Sequence, residues 1–148
     1  MKTKSLRHSF VKYIPETLED GVLYISIDYC TAAHKCVCGC GNKVITPITP
    51  TDWELTFNGE AITLSPSIGN WSFDCQSHYW VKNSEIQWAG KWSRYEIDEG
   101  RRNDQIKKQI HFSKVDNLAD VSAENEKNIT RQGHSQGFWR KLFQRFGF

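Results

Sequence analysis

Three cysteines within five residues place the strongest constraint on how this chain can fold. Cys36, Cys38 and Cys40 have glycines at positions 39 and 41 among and after them, and a fourth cysteine follows much later in the pair Cys75-x-x-His78. Zinc takes four sulfur or nitrogen ligands in a tetrahedron, and glycine lets a backbone turn tightly around an ion. The pattern therefore predicts a zinc site made by a cysteine knuckle and a distant Cys/His pair.

The composition of the ligand set stays open at this point. An extended Cys-x-Cys-x-Cys segment does not easily place three sulfurs on one ion, so one or two members of the knuckle are open to a role beside the metal, facing a substrate or on a second ion. A second interpretation is a strand with buried free thiols, since cysteine is a common core residue. The candidate ligands are His34, Cys36, Cys38, Cys40, Cys75 and His78.

Cysteine usage and charge set limits on compartment and partners. The total of five cysteines is odd, and the opening Met-Lys-Thr-Lys-Ser-Leu-Arg-His has no apolar signal segment. We therefore expect a cytoplasmic, soluble protein in which clustered Cys and His bind metal, with Cys30 outside the ligand set. A net charge of +2 with 24% charged residues gives no general signal for nucleic-acid binding.

Alternating apolar residues and turn signals predict a mainly β fold over residues 10–95, a small antiparallel sheet domain built around the zinc site. Gly21–Ile27 alternates as a half-buried strand does. Lys43–Ile48 is β-branched but contains a proline, which favours an edge strand or a bulged strand. Asn58-Gly59 and Asn83-Ser84 each separate two apolar runs and predict hairpins.

The remaining third of the chain differs in composition. Residues 96–133 are rich in charged and amide side chains, which predicts a polar linker or a loosely packed helix, with Ile106, Ile110 and Phe112 as its attachment to the domain. Residues 134–148 form a basic aromatic tail with apolar residues at helical spacing. Such a C-terminal amphipathic helix suits an acidic partner, an anionic membrane surface or the β domain itself.

Six short motifs follow one another along the chain: Phe10-Val-Lys-Tyr-Ile-Pro15, Gly21-Val-Leu-Tyr-Ile-Ser26, His34-x-Cys-x-Cys-Gly-Cys-Gly41, Pro50-Thr-Asp-Trp53, Ser65-Pro-Ser-Ile-Gly-Asn-Trp71 and Cys75-x-Ser-His78. In this order they resemble the small cysteine-rich metal-binding family encoded in bacterial ubiquitin-like conjugation operons. The resemblance runs from residue 10 to about residue 92. It implies a peptidase that trims a ubiquitin-like precursor or removes the protein from its targets, with that protein and its activating and conjugating enzymes as partners.

Peptidase chemistry on zinc needs an open coordination position and a nearby base. Six candidate ligands allow a three-ligand site, although thiolate-rich zinc is more often closed and structural. The sequence has no H-x-E deaminase signature, no H-E-x-x-H, no G-x-S-x-G and no P-loop. A zinc-dependent peptidase is one hypothesis; a non-catalytic zinc module that binds the conjugation machinery is the alternative.

Ser67 and Ser77 are the candidate catalytic residues. Both stand close in sequence to the Cys75/His78 pair, and a serine beside zinc can donate a hydrogen bond to a developing oxyanion. The other interpretation is that serines in tight turns bond to the local backbone. A knuckle cysteine left off the metal, with a histidine as base, is a further route to a peptidase.

Overall fold

A computed structural model describes residues 2–116, which form eight β-strands followed by a helix. The fold is mainly β, with two four-stranded sheets, as the sequence predicts. The strands are β1 (Arg7–Phe10), β2 (Val22–Ser26), β3 (Thr31–Lys35), β4 (Lys43–Pro47), β5 (Glu54–Phe57), β6 (Ile62–Gly69), β7 (His78–Lys82) and β8 (Glu85–Trp88).

The first sheet has the strand order β1-β2-β3-β4. β1 runs parallel to β2, whereas β2, β3 and β4 form antiparallel pairs. β4 lies at the edge of this sheet and ends at Pro47, so the expectation of an edge strand is confirmed. Proline has no N–H to donate, and an edge position tolerates that loss.

The second sheet has the order β5-β6-β7-β8 and contains both expected hairpins. In the first, the Asn58 side-chain oxygen accepts hydrogen bonds from the N–H groups of Glu60 and Ala61. In the second, Asn83 and Ser84 both adopt positive φ. Two consecutive positive-φ residues give a turn whose twist matches that of the flanking strands.

The two sheets share one hydrophobic core. Its members from the first half are Leu6, Leu23, Ile25, Ala32, Cys36, Val37 and Val44, and those from the second half are Ile62, Leu64, Ile68, Tyr79 and Val81. The burial of these side chains between the sheets supplies the main driving force for folding, at about 25 cal/mol per Å² of apolar surface. Cys36 belongs to this core, so the cysteine knuckle begins inside it.

The expectation that Gly21–Ile27 is buried on one face only is wrong. All five residues of β2 are buried, because Val22 and Tyr24 pack with Leu18 on the face away from the shared core. Ile27 lies beyond the end of the strand and is 61% exposed. The segment between β1 and β2 thus covers a face that the alternating pattern assigns to solvent.

A helix occupies residues 94–116 and begins with a capping box. Ser93 accepts a hydrogen bond from the Glu96 N–H, and the Glu96 carboxylate accepts one from the Ser93 N–H. Ile106, Ile110 and Phe112, expected to attach this segment to the domain, are 46%, 49% and 59% exposed. The chain divides within this helix into two compact units, Met1–Arg102 and Asn103–Phe148.

Within residues 2–116, no helix has the length and apolarity needed to cross a bilayer. The rest of the predicted 96–133 linker and the whole 134–148 tail lie outside the described residues.

The pairing of β6 with β7 is irregular between Leu64 and Ile68. Leu64 pairs with Val81, and the register shifts before Ile68 pairs with Tyr79 and Gly69 with His78. Ser67 lies in the shifted stretch. At Gly69, a Cβ atom would overlap Nε1 of the Trp71 indole, so only glycine allows this position of the ring.

We expect Gly69→Ala to lower the free energy of unfolding by about 1–3 kcal/mol, because the new methyl group must displace the Trp71 ring from a packed position. Urea denaturation of the purified variant measures this. Gly90→Ala is the matched control, since no atom lies within 4 Å of its added Cβ. Equal stability of both variants would contradict the close packing at Gly69.

Candidate active site and metal centre

Ser67 and His78 form a hydrogen-bonded pair across two neighbouring strands. The Ser67 Oγ lies 2.9 Å from the His78 Nε2. Ser67 belongs to β6 and His78 is the first residue of β7, whose pairing places His78 opposite Gly69. His78 is buried, with 5% of its surface exposed. Two paired strands therefore hold both side chains, although Ser67 lies where their register shifts, and placement on strands favours a fixed geometry.

The second ring nitrogen of His78 determines which atom of the pair donates. His78 Nδ1 lies 3.0 Å from the backbone oxygen of Gly90. A carbonyl oxygen can only accept, so Nδ1 carries the proton and Nε2 of the neutral ring carries a lone pair. The Ser67 hydroxyl therefore donates to Nε2, which is the arrangement of a nucleophile and its general base.

The Gly90 carbonyl reaches His78 because the backbone after β8 is bonded to His78 itself. The Ala89 N–H donates to the His78 carbonyl oxygen at 2.9 Å. This bond fixes the segment one residue before Gly90, so the third member of the arrangement is held by the fold and not by a side chain.

Three tryptophan rings surround the His78 imidazole. The ring centroids of Trp71, Trp92 and Trp80 lie 4.9, 5.1 and 5.7 Å from that of His78. Trp71 and Trp92 also stack on one another at 5.4 Å. Rings this close exclude water from one part of the histidine and restrict its rotation, which keeps Nε2 directed at Ser67.

The four cysteines of the knuckle and the distant pair converge at a separate point. Their sulfurs all lie within 4.8 Å of one another. The Cys36–Cys38, Cys40–Cys75 and Cys36–Cys75 sulfurs are 3.4, 3.7 and 3.9 Å apart. A tetrahedron of thiolates with Zn–S bonds of about 2.3 Å has sulfurs about 3.8 Å apart. The donor set and its spacing thus fit a tetrahedral zinc ion.

Backbone turns explain how three alternating cysteines reach one point. In an extended strand their Cα atoms would be spaced about 7 Å apart in a line. Here the chain leaves β3 and turns, with Gly39 and Gly41 at positive φ and the Cys36 N–H bonded to the Asn42 carbonyl at 2.8 Å. The interpretation of the knuckle as a strand of buried thiols is wrong for this reason.

The thiols of the cluster have unequal acidities. Burial raises the pKa of Cys36, and burial followed by a hydrogen bond with Cys36 raises that of Cys38 to about 12. A backbone hydrogen bond at Asn42 lowers the pKa of Cys40 to about 7. Four adjacent thiolates would need a cation to balance their charge, and a divalent metal bound to all four sulfurs would supply it.

Ser77 and His34 belong to a buried polar network between the cluster and the core. The Ser77 Oγ lies 3.1 Å from the Cys36 sulfur and accepts a hydrogen bond from Asn70 Nδ2 at 2.8 Å. Asn70 also donates to the Tyr79 hydroxyl at 3.4 Å, and that hydroxyl lies 2.8 Å from the His34 Nε2. Burial lowers the pKa of His34 to about 4, so this ring is neutral at pH 7.

The predicted site residues are thus divided among three places. The four cysteines lie together, while His34 contacts Tyr79 and His78 contacts Ser67 and Gly90. Ser67 touches the histidine, not the thiols. Ser77 touches the thiols, although it adjoins His78 in sequence. Cys30 lies apart from the cluster and is exposed.

The group that sequence reasoning missed is the Gly90 carbonyl. A backbone acceptor leaves no trace in residue identity, so no sequence signal could find it. The three tryptophans around His78 had a partial signal in the sequence, because Trp71 closes the Ser65–Trp71 motif, Trp80 lies in the first strand of the second hairpin and Trp92 follows that hairpin.

Comparison with known proteins places the chain in a family. A family model described as bacterial ubiquitination-like system serine protease (BubE) matches residues 10–89. The chain belongs to the BubE family. No curated protein and no solved structure matches it.

The part of the chain that matches the BubE family contains Ser67, His78 and all four clustered cysteines. Gly90 lies one residue beyond it. The family description names a serine protease, and Ser67 has the hydrogen bond that a serine nucleophile needs. The resemblance noted from the sequence motifs is confirmed, whereas the metal itself is outside what the family description states.

We expect this BubE family member to bind one divalent metal through four thiolates. Cobalt(II) substitution should give intense sulfur-to-cobalt charge-transfer bands, since each Co–S bond contributes to them. His34→Ala and His78→Ala should keep the spectrum, because neither ring lies with the sulfurs, and Cys75→Ser should weaken it.

Cys30→Ser is the matched cysteine control and should leave the cobalt spectrum unchanged. A spectrum that loses intensity in His78→Ala as it does in Cys75→Ser would place His78 on the metal and overturn the separation of the two sites.

Proposed function

We propose that this chain is a serine peptidase in which Ser67 is the nucleophile and His78 the general base. The observation that carries the proposal is the pair of hydrogen bonds on His78, to the Ser67 Oγ at 2.9 Å and to the Gly90 carbonyl at 3.0 Å. The Gly90 bond fixes the tautomer that can accept the serine proton. Ser67 thereby takes a different role from the oxyanion donor expected from the sequence.

The proposed reaction has two stages, acylation of Ser67 and hydrolysis of the acyl-serine ester. The Ser67 Oγ attacks the substrate carbonyl while His78 Nε2 takes the hydroxyl proton, and the bond to the leaving amine breaks as His78 passes that proton to the nitrogen. A water molecule then attacks the acyl-serine ester. It gives its proton to His78, and the serine oxygen recovers a proton as the carboxylic acid leaves.

We infer that the bound metal is zinc and that its role is structural. Cys36, Cys38, Cys40 and Cys75 would fill all four positions of a tetrahedral ion, and zinc would supply cross-linking of the knuckle to the loop before β7. Cys75 precedes His78 by three residues. The metal would therefore fix the position of the first residue of β7, the general base His78.

The substrate that the family description favours is a ubiquitin-like protein. We infer that the enzyme cleaves the bond after the carboxyl-terminal residue of that protein, either in its precursor or in conjugates, and that it works beside the activating and conjugating enzymes of the system. Four thiols available to a metal suit a reducing compartment, so we assign it to the cytoplasm.

Replacement of the two serines separates the roles. We expect Ser67→Ala to lower the rate of cleavage of the ubiquitin-like precursor by about 10⁶-fold, because the nucleophile is lost. Ser77→Ala should keep the nucleophile and most of the activity but lose about 1–3 kcal/mol of stability, since Asn70 and Cys36 lose a buried partner.

Mass spectrometry of the cleaved precursor and urea denaturation are the two measurements. Labelling with a fluorophosphonate, which reacts with activated serines, should occur in Ser77→Ala and not in Ser67→Ala. Wild-type protein that binds the ubiquitin-like protein without cleaving it or reacting with the label would instead identify a non-catalytic binding module.

We expect removal of the metal by a chelator to abolish cleavage at the same rate at which it unfolds the protein. If zinc is structural, metal removal unfolds the knuckle and the start of β7 together, because the free energy of binding contributes to folding. We expect the loss of cleavage and the loss of near-UV circular dichroism to follow one time course. Immediate inhibition of a still-folded protein would point to a metal that acts in catalysis.

A further inference from the structure

In the described part of the chain, residues 2–116, no strand pairs with one edge of β6 at the position of Ser67. β5 pairs with β6 only from Glu54–Ser65 to Phe57–Ile62, whereas β6 continues to Gly69. On the opposite side β7 pairs with β6 as far as Gly69. Within residues 2–116, the last four residues of β6 thus have a neighbouring strand on one side only.

The direction of the peptide groups shows which hydrogen-bonding positions this edge offers. The Asn70 N–H donates to the Ser77 carbonyl at 2.9 Å, toward the β7 side. Peptide groups of successive residues in a strand alternate between its two edges. The N–H and C=O of Gly69 therefore face the unpaired edge, and Ser67 lies two residues earlier, next to the point where the register shifts.

The chain before β5 turns away and leaves space beside this edge. The Trp53 N–H bonds to the Pro47 carbonyl and the Asp52 N–H to the Thr49 carbonyl, so the backbone departs toward β4 and does not continue along β6. A cavity of about 190 Å³ occupies the place. It is lined by Val44, Ile45, Trp53, Ile68, Gly69, Asn70, Trp71, Ser72 and Phe73.

We propose that the carboxyl-terminal segment of the substrate binds here as an added β-strand, paired with the β6 backbone at Gly69 in the line that β5 vacates. The inference rests on Ser67 being the nucleophile, because His78 of β7 holds the Ser67 Oγ from one side and the added strand brings its last carbonyl from the other. Strand addition gives affinity through main-chain hydrogen bonds, and pockets take alternate side chains. The 190 Å³ cavity has room for one of them.

The occupant is an extended segment ending in a small residue. Trp71 and Trp92 stack at 5.4 Å and both contact the His78 ring, so a bulky side chain next to the cleaved bond would have to displace them. Glycine at that position needs no such displacement. A ubiquitin-like protein with a free, flexible carboxyl terminus has the required form.

N-methylation of the substrate backbone tests the pairing directly. The ubiquitin-like precursor is made by chemical ligation with a single N-methyl group on each of the four residues before the cleaved bond in turn. A paired strand points every second N–H at the enzyme, so kcat/KM should fall at least about tenfold at alternate positions and change little between them. Losses that alternate with a period of two support the proposal.

Two other outcomes overturn it. Equal tolerance at all four positions means that no main-chain pairing is used, and equal loss at all four means that the tail is enclosed without a strand register. The unmethylated precursor with the Ser67→Ala variant is run alongside. If Ser67→Ala cleaves as wild type does, the nucleophile assignment itself fails; if it is inactive while the methyl series shows no alternation, only the strand pairing fails.

Discussion

The convergence of Cys75 on the cysteine knuckle is the contact on which the rest of the site depends. The knuckle leaves β3 of the first sheet, and Cys75 comes just before β7 of the second. Four sulfurs at tetrahedral spacing therefore join the two sheets at one end of their shared core. Because only two residues separate Cys75 from His78, the position of the histidine follows from that of the cluster. Ser77 strengthens this link through its contact with the Cys36 sulfur.

The catalytic arrangement that we propose on the second sheet differs from a Ser-His-Asp triad in its third member. A carboxylate both orients the histidine and stabilises the imidazolium that forms. The neutral Gly90 carbonyl orients the histidine, but it stabilises the imidazolium less than a carboxylate would. Indole rings attract a cation within about 6 Å of their centroid, and those of Trp71, Trp80 and Trp92 are within that distance of His78. The aromatic enclosure can thus supply some of the missing stabilisation.

Local features of the sequence were sufficient for the hairpins and the edge strand, and they placed the four cysteines among six candidate ligands without separating them from the two histidines. Asn58-Gly59 and Asn83-Ser84 specify their turns through their own backbone preferences, so no tertiary information is needed. His78 could not be assigned in that way. In a Cys-x-x-His pair the histidine can be a second zinc ligand, or it can be a general base that follows the ligand Cys75. The β6–β7 register favours the second role because it brings Ser67 to His78. That register depends on a strand irregularity that no short motif encodes.

The same geometry explains why Ser67 and not Ser77 meets the histidine. Ser77 is the neighbour of His78 along the chain, but adjacent residues of an extended segment project to opposite faces. Ser77 accordingly faces the Cys36 sulfur and Asn70, while His78 faces the tryptophans and β6. Ser67 lies on the strand next to His78 and on the same face, within 2.9 Å. Proximity in sequence to His78 favoured both serines equally. The alternation of side chains at the start of β7 directs Ser77 to the cysteine cluster and His78 to Ser67, which is why Ser67 is the proposed nucleophile.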